Sequence, residues 1–352
     1  MTRPILSAIL SCKGCELTDE EKYLFSQYNP LGVNLFSRNL QTKEQAKKLV
    51  ESIKDVINRD DVIIAIDQEG GRVNRLQSIS QQQYASAQQL AKRDIKFTQY
   101  HALLISKELN DLGVNINYSP VVDLENNSPV LESRAFSSNP NVIIKYAQML
   151  ADEYMKQGVC PCIKHIPGHF KANADPHLQQ LIVELSRAEI EDTIGYVKNF
   201  SKYPMAMTSH VILKDIDDSN PITTSSKVIS EVIRNFLGFD GFLISDAIDM
   251  HALNGSVNEK ALKALDAGVD AICYCSGKIE EMQAICDEKR FMTEKSINRF
   301  DKIKKIINNK NKWSGNYCML EEYNNEFQED FKSQYTYDAT ETLEKMLKKG
   351  EN

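Results

Sequence analysis

Residues 43–67, KEQAKKLVESIKDVINRDDVIIAID, contain one full unit of the pattern that decides the fold. Ala46, Leu49, Val50, Ile53, Val56 and Ile57 recur at a spacing of 3.6 residues, which gives a helix one apolar face. The run 62–66 that follows is apolar at every position and rich in β-branched residues, as a strand covered on both faces must be. It ends on a carboxylate, Asp67.

Outward from this unit, comparable runs lie at 5–10, 32–36, 114–122, 159–163, 205–209, 242–245 and 269–275. Most end on a polar or charged group: Ser37-Arg38-Asn39, Asp67, Asp123, Lys164, His210 and Asp246. Helix-like segments separate most of them, and strands buried on both faces that alternate with helices predict a parallel sheet. Eight such units predict an α/β protein with a (β/α)8 TIM-type barrel, whose reactive groups collect at the C-terminal ends of the strands. A doubly wound open sheet is the alternative, but no G-x-G-x-x-G follows an early strand. The expected organisation is a catalytic barrel over 1–312 and a tail over 313–352. That tail is acidic and aromatic at first and then carries a closing amphipathic helix at Thr340, Leu343, Met346 and Leu347.

The bulk properties narrow the function classes. At 352 residues, 42% of them hydrophobic, the chain can bury a large core. The net charge is -7 and the cations are spread, not striped, so no nucleic-acid footprint is expected. No run approaches the ~18 apolar residues of a membrane span. The apolar stretch 5–10 is too short for a signal peptide and lacks a cleavage site, so the expected location is the cytoplasm, away from any membrane. Of eight cysteines, Cys160, Cys162, Cys273 and Cys275 lie in apolar runs and read as small buried hydrophobes. Cys12 and Cys15 form the only C-x-x-C, without a second pair at zinc spacing.

The chemistry concentrates in 164–177, KHIPGHFKANADPH, which holds three of the six histidines. Pro167-Gly168 break any regular element, as on a loop that a rigid scaffold presents. In Asp175-Pro176-His177 the proline biases Asp175 away from helix, so carboxylate and imidazole can meet, one holding the other for proton transfer. The loop 125–140 is long and polar and carries Arg134. Asp67, Arg75, Arg134, Lys164, His165, Asp175, His177 and Asp246 together mix carboxylates, cations and one dyad. No cofactor is expected, because Gly70-Gly71 lacks the Lys-Ser/Thr of a phosphate loop. Nor is a metal, because Pro167-Gly168 disrupt the helix that would let His165 and His169 share zinc. Hydrolysis or group transfer by side chains remains.

Four stretches in order resemble one family: 32–39 GVNLFSRN, 66–75 IDQEGGRVNR, 164–169 KHIPGH with Asp175-Pro176-His177, and 237–246 LGFDGFLISD with Met250. They are similar to the bacterial β-N-acetylglucosaminidases of glycoside hydrolase family 3, single-domain cytoplasmic type, over roughly residues 5 to 310. The resemblance implies Asp246 as nucleophile, His177 paired with Asp175 as general acid/base, and Asp67, Arg75, Arg134, Lys164 and His165 as sugar-binding residues. A retaining glycosidase needs a carboxylate for the anomeric carbon and a proton donor for the leaving oxygen, and an imidazole titrating near neutrality can be that donor. The chain departs from the family pattern at Phe170, where Gly is usual, at Pro176, and at Ala247, where Asp is common. The implied function is a retaining exo-β-N-acetylglucosaminidase acting on GlcNAc-containing muropeptides, the GlcNAc-anhydromuramyl peptides of cell-wall recycling. Two alternatives stand beside it: a glycoside phosphorylase, since a neutral imidazole repels phosphate less than a carboxylate does, and a sugar-binding protein without turnover.

Overall fold

In a computed structural model, described for residues 3–125, 131–170, 181–309 and 317–333, the apolar runs form a closed ring of parallel strands. They are β1 (Leu6–Ser11), β2 (Pro30–Leu35), β3 (Ile63–Ile66), β4 (Ile116–Asn117), β5 in two pieces (Cys160–Pro161 and Ile163–Ile166), β6 (Met205–Thr208), β7 (Phe242–Ala247) and β8 (Ala271–Cys273). The first piece of β5 pairs with β4, Ile116 beside Cys160, and the second with β6, Ala206 beside Ile163. One strand therefore serves both ends of the sheet, and the predicted (β/α)8 barrel closes through it.

The all-apolar strands are explained by two cores. Ile9, Leu31, Ile63, Ala65, Ile116, Met205, Met207, Phe242 and Ile244 fill the barrel interior together with Cys160, Cys162 and Cys273. The alternate residues, among them Leu10, Val33, Leu35, Ile64, Ile66 and Leu243, face the helices. Helix Lys43–Ile57 answers them with Ala46, Leu49, Val50, Ile53 and Ile57, each large side chain contributing about 1.5–3 kcal/mol by leaving water. Thr42 accepts the Gln45 N–H to start this helix, and Asn58 ends it at φ 55°. Gly32 is required by a close approach, because a Cβ there would stand 2.2 Å from the Ile63 carbonyl oxygen.

Three elements differ from expectation. Pairing in the fourth run is confined to Ile116–Asn117 and resumes only as a bridge between Val121 and Lys164, since Pro120 has no N–H to donate. Lys164 and His165 lie inside β5, not beyond it, with the Lys164 N–H on the Pro120 carbonyl at 3.1 Å. The acidic, aromatic start of the tail forms helices Tyr317–Glu326 and Gln328–Ser333, and Tyr323 and Phe327, four apart, are buried by helix Ile95–Leu112. The expected helix at Thr340 to Leu347 lies outside the described residues. Among those described, no helix is long and apolar enough to cross a membrane.

Candidate active site

The strand ends of β3 and β5 build a row of alternating charges. The Lys164 ammonium sits 2.6 Å from Asp67 Oδ1 and 2.6 Å from Glu69 Oε1. Glu69 in turn accepts from Arg134 Nε at 2.9 Å and Nη2 at 2.8 Å, the bidentate fork that a planar guanidinium offers a carboxylate. Burial works to neutralise Glu69, but Arg134 and Lys164 outweigh it and hold the carboxyl well below its usual range. Burial likewise opposes the Lys164 charge and is outweighed by Asp67 and Glu69, so its pKa is raised. An ammonium has three donors, and two are engaged here. The third, and Asp67 Oδ2, which makes no hydrogen bond among the described residues, are left for a ligand.

Asp123, beyond β4, organises a second group. Its Oδ2 accepts the His165 N–H at 3.1 Å and faces His165 Nδ1 at 2.8 Å; its Oδ1 accepts the His169 N–H at 2.7 Å and faces His169 Nδ1 at 3.3 Å. Burial penalises this carboxylate, yet His169 and the hydrogen bonds from both imidazoles hold its pKa well below the usual value. An ionised carboxylate only accepts, so both Nδ1 atoms carry hydrogen, and neutral His165 presents a lone pair on Nε2. Burial first, and repulsion from His169 second, lower the His165 pKa to about 4 against the pull of Asp123 and Asp246, so the ring is neutral at neutral pH. Asp123, His165 and His169 place three possible metal-ligand atoms within 4.8 Å of one another. Both Nδ1 atoms are turned onto the carboxylate at hydrogen-bond spacing.

Asp246 lies on β7 across from His165, with Oδ2 3.7 Å from His165 Nε2. Its Oδ1 accepts the Ala247 N–H at 2.7 Å, while Oδ2 makes no hydrogen bond among the described residues. Burial raises its pKa, but His165, His210 and the Ala247 amide bring it below the ordinary carboxylate value, so it is a ready anion. His210 is buried, with Nδ1 2.7 Å from Thr223 Oγ1 and Nε2 3.0 Å from the Ala247 carbonyl. It is thereby a support of the Asp246 turn. Exposure sorts these groups: Asp67 and Asp246 keep 21% and 20% of their side chains accessible, against 2% for Lys164, 7% for Glu69, 5% for His165 and 1% for Asp123. Two carboxylates thus reach the opening, on a floor of paired charges.

The model of the glycosyl hydrolase family 3 N-terminal domain matches residues 7–307. The chain belongs to glycoside hydrolase family 3. Within it the chain is a β-hexosaminidase-like hydrolase. The β-hexosaminidase of Tolumonas auensis is 32% identical over 285 residues, 77% of this chain and 83% of that protein. The β-hexosaminidase of Alkalilimnicola ehrlichii is 33% identical over 280 residues, 76% and 80% of the two chains. Among solved structures, NagZ from Neisseria gonorrhoeae, in complex with N-trifluoroacetyl-D-glucosamine, superposes with a TM-score of 0.77 at 24% identity and covers 91% of this chain and 94% of that one.

On this family 3 barrel the predicted site residues fall as follows. Asp67, Lys164, His165 and Asp246 converge, and Arg134 joins them through Glu69. Arg75 lies over the Phe36 ring at 5.7 Å, with Arg38 on the same ring at 4.5 Å; the Arg75 Nε is buried without a hydrogen-bond partner among the described residues. Asp175, Pro176 and His177 lie outside the described residues. Phe170, where the family pattern has Gly, takes φ 54°, in the left-handed region that glycine enters most easily. Sequence reasoning missed Glu69, Asp123 and His169 as organisers of the site. The signals were present: Glu69 stands two residues from Asp67 in the same motif, Asp123 ends an apolar run as Asp67 and Asp246 do, and His169 repeats His165.

Proposed function

We propose that this chain is a retaining exo-β-N-acetylglucosaminidase that removes GlcNAc from GlcNAc-anhydromuramyl peptides in cell-wall recycling. Asp246 is the nucleophile, His177 held by Asp175 the general acid/base, and Asp67, Arg75, Arg134, Lys164 and His165 hold the sugar. The single observation that carries this reading is Asp246 Oδ2, an ionised and partly exposed oxygen without a hydrogen bond among the described residues, opposite a neutral imidazole. Such an oxygen can approach an anomeric carbon without first breaking a hydrogen bond of its own. Asp67 Oδ2 and the third Lys164 donor suit a pair of sugar hydroxyls, one donating and one accepting. The N-trifluoroacetyl-D-glucosamine bound by the Neisseria NagZ is the kind of sugar this reading requires. The proposed setting is the cytoplasm, which suits eight cysteines that are all free thiols.

A chromogenic β-N-acetylglucosaminide is the test substrate. Release of the chromophore by the full chain, abolished in Asp246→Ala, is the expected result, and undiminished release in the variant would sink the assignment. A set of aryl glycosides varied only at the 2-substituent, with and without phosphate, separates hydrolysis from phosphorolysis. Cell fractionation tests the location.

A further inference from the structure

The family domain ends at Ile307, yet residues beyond it reach the back of the sugar-binding row. Tyr323, on tail helix Tyr317–Glu326, is fully buried. Its hydroxyl lies 2.9 Å from the Ala85 N–H and 2.8 Å from His101 Nδ1. A backbone N–H can only donate, so the hydroxyl oxygen accepts there and its one proton is available to His101 Nδ1. With hydrogen on Nε2 the ring accepts from Tyr323 at Nδ1 and turns its N–H toward the Glu69 backbone. Burial keeps the ring neutral, lowering its pKa to about 3 with a partial offset from the Glu69 backbone. Among the described residues the Nε2–H makes no hydrogen bond of full geometry, but the Glu69 backbone lies close enough to draw on it, so Tyr323, packing and Glu69 together locate the imidazole.

What this pair encloses is Gly70, the residue after Glu69. A Cβ on Gly70 would stand 2.3 Å from the Ala85 carbonyl oxygen and 2.8 Å from His101 Cε1, and the residue holds φ +94°. The Gly71 N–H donates to the Tyr84 carbonyl at 2.8 Å, so the next residue is tied to the same segment. Contacts therefore run without a gap from Tyr323 through Ala85 and His101 to Gly70, then to Glu69 and the Lys164 and Asp67 that it aligns. The tail helix has its own anchors away from this line, in Arg93 with Glu326 at 2.7 Å and Asp330 at 3.0 Å.

We infer that Tyr323 is a positioning residue for sugar binding: through Ala85 and His101 it fixes the Gly70 turn that sets Glu69, Lys164 and Asp67. The kinetic part of this inference rests on the glycosidase reading above. The variant is Tyr323→Phe in the full chain, which keeps the ring and removes one oxygen. Its control is Arg93→Ala, which loosens the tail without touching the Gly70 line. With an aryl β-N-acetylglucosaminide, Tyr323→Phe is expected to raise KM about 5–10-fold with kcat within about twofold, the signature of lost uniform binding. Amide hydrogen exchange at residues 68–71 is expected to quicken in Tyr323→Phe and not in Arg93→Ala. Unchanged KM and exchange in Tyr323→Phe, or an equal rise of KM in Arg93→Ala, overturn the inference. His101→Asn is the second variant, should Tyr323→Phe not fold. It keeps an acceptor for the hydroxyl but withdraws the ring from Gly70, so the same two changes are expected, and wild-type values overturn the inference equally. If the unmodified chain cleaves no aryl N-acetylglucosaminide, the glycosidase reading fails by itself, and the exchange measurement still decides the link.

Discussion

Two buried carboxylates, Glu69 and Asp270, sit at opposite ends of the barrel, and each is held by two cations. Asp270 immediately precedes β8. Its Oδ1 accepts from Ser296 Oγ at 2.7 Å and Arg299 Nη1 at 3.0 Å; its Oδ2 accepts from the Leu243 N–H at 2.8 Å and Arg234 Nη2 at 3.1 Å. Those partners tie helix Glu294–Ile307 and the π-helix Ile229–Phe236 to the strands, and Arg299 reaches on to Asp240 at 2.6 Å. The Glu69 cluster uses the same chemistry but is not closed. Among the described residues Lys164 keeps a donor, Asp67 keeps an oxygen, and Asp246 opposite keeps another. The ion pairs at the foot of the barrel hold helices, and those at its mouth hold reactive groups in readiness, the division expected of a barrel whose active end is the C-terminal one.

That contrast can be broken by substitution. The largest effect belongs to Asp246→Ala, expected to lower kcat by about 10⁴-fold or more if the residue is the proposed covalent nucleophile, with little change in Tm. A fall of Tm together with activity would move Asp246 to the structural side. Next are Glu69→Gln and Asp270→Asn. Each takes a shared counter-charge from two buried cations, with Lys164 keeping Asp67 and Arg299 keeping Asp240, and each is expected to cost about 3–5 kcal/mol in urea unfolding. Only Glu69→Gln should also raise KM, since only its cations hold the sugar in the proposed function. Equal KM effects would erase the distinction between the two ends.

Acid sensitivity ranks third. His165 and His101 have folded pKa values of about 4 and about 3, below the ordinary 6.5, because burial disfavours their charged forms. The unfolded chain takes up these protons first. Their contribution is thus complete above pH ~6.5 and is lost as the pH falls toward 4 and then 3. A urea midpoint lower at pH 5 than at pH 7 is expected, and a His101→Asn variant should show a shallower slope. An unchanged midpoint between those pH values contradicts neutral buried rings. The smallest effect is Thr42→Ala, which removes one helix cap at about 1 kcal/mol and should leave KM untouched.

Much of this was legible before any coordinates. The helical spacing from Ala46 to Ile57 and the apolar run ending at Asp67 announce one β/α unit, and their recurrence announces the barrel. Boundaries were less legible where a proline interrupts a ladder, as at Pro120, or where a charged residue continues a strand, as Lys164 does. The tail helix of Tyr323 and Phe327 was missed because its two buried aromatics stand among Glu, Asn and Gln, and its apolar face is completed by another helix.

The sequence by itself determined the order of the strands, their burial on both faces, and the residue types at their ends, because these depend on local spacing and side-chain chemistry. Only the tertiary structure decided which charges meet. Lys164 finds Asp67 across 97 positions, Arg134 finds Glu69 across 65, and His165 finds Asp123 across 42. Those distances in sequence are crossed by closure of the sheet through β5, and it is the pairing so produced that leaves Asp246 Oδ2 partly exposed and without a partner among the described residues.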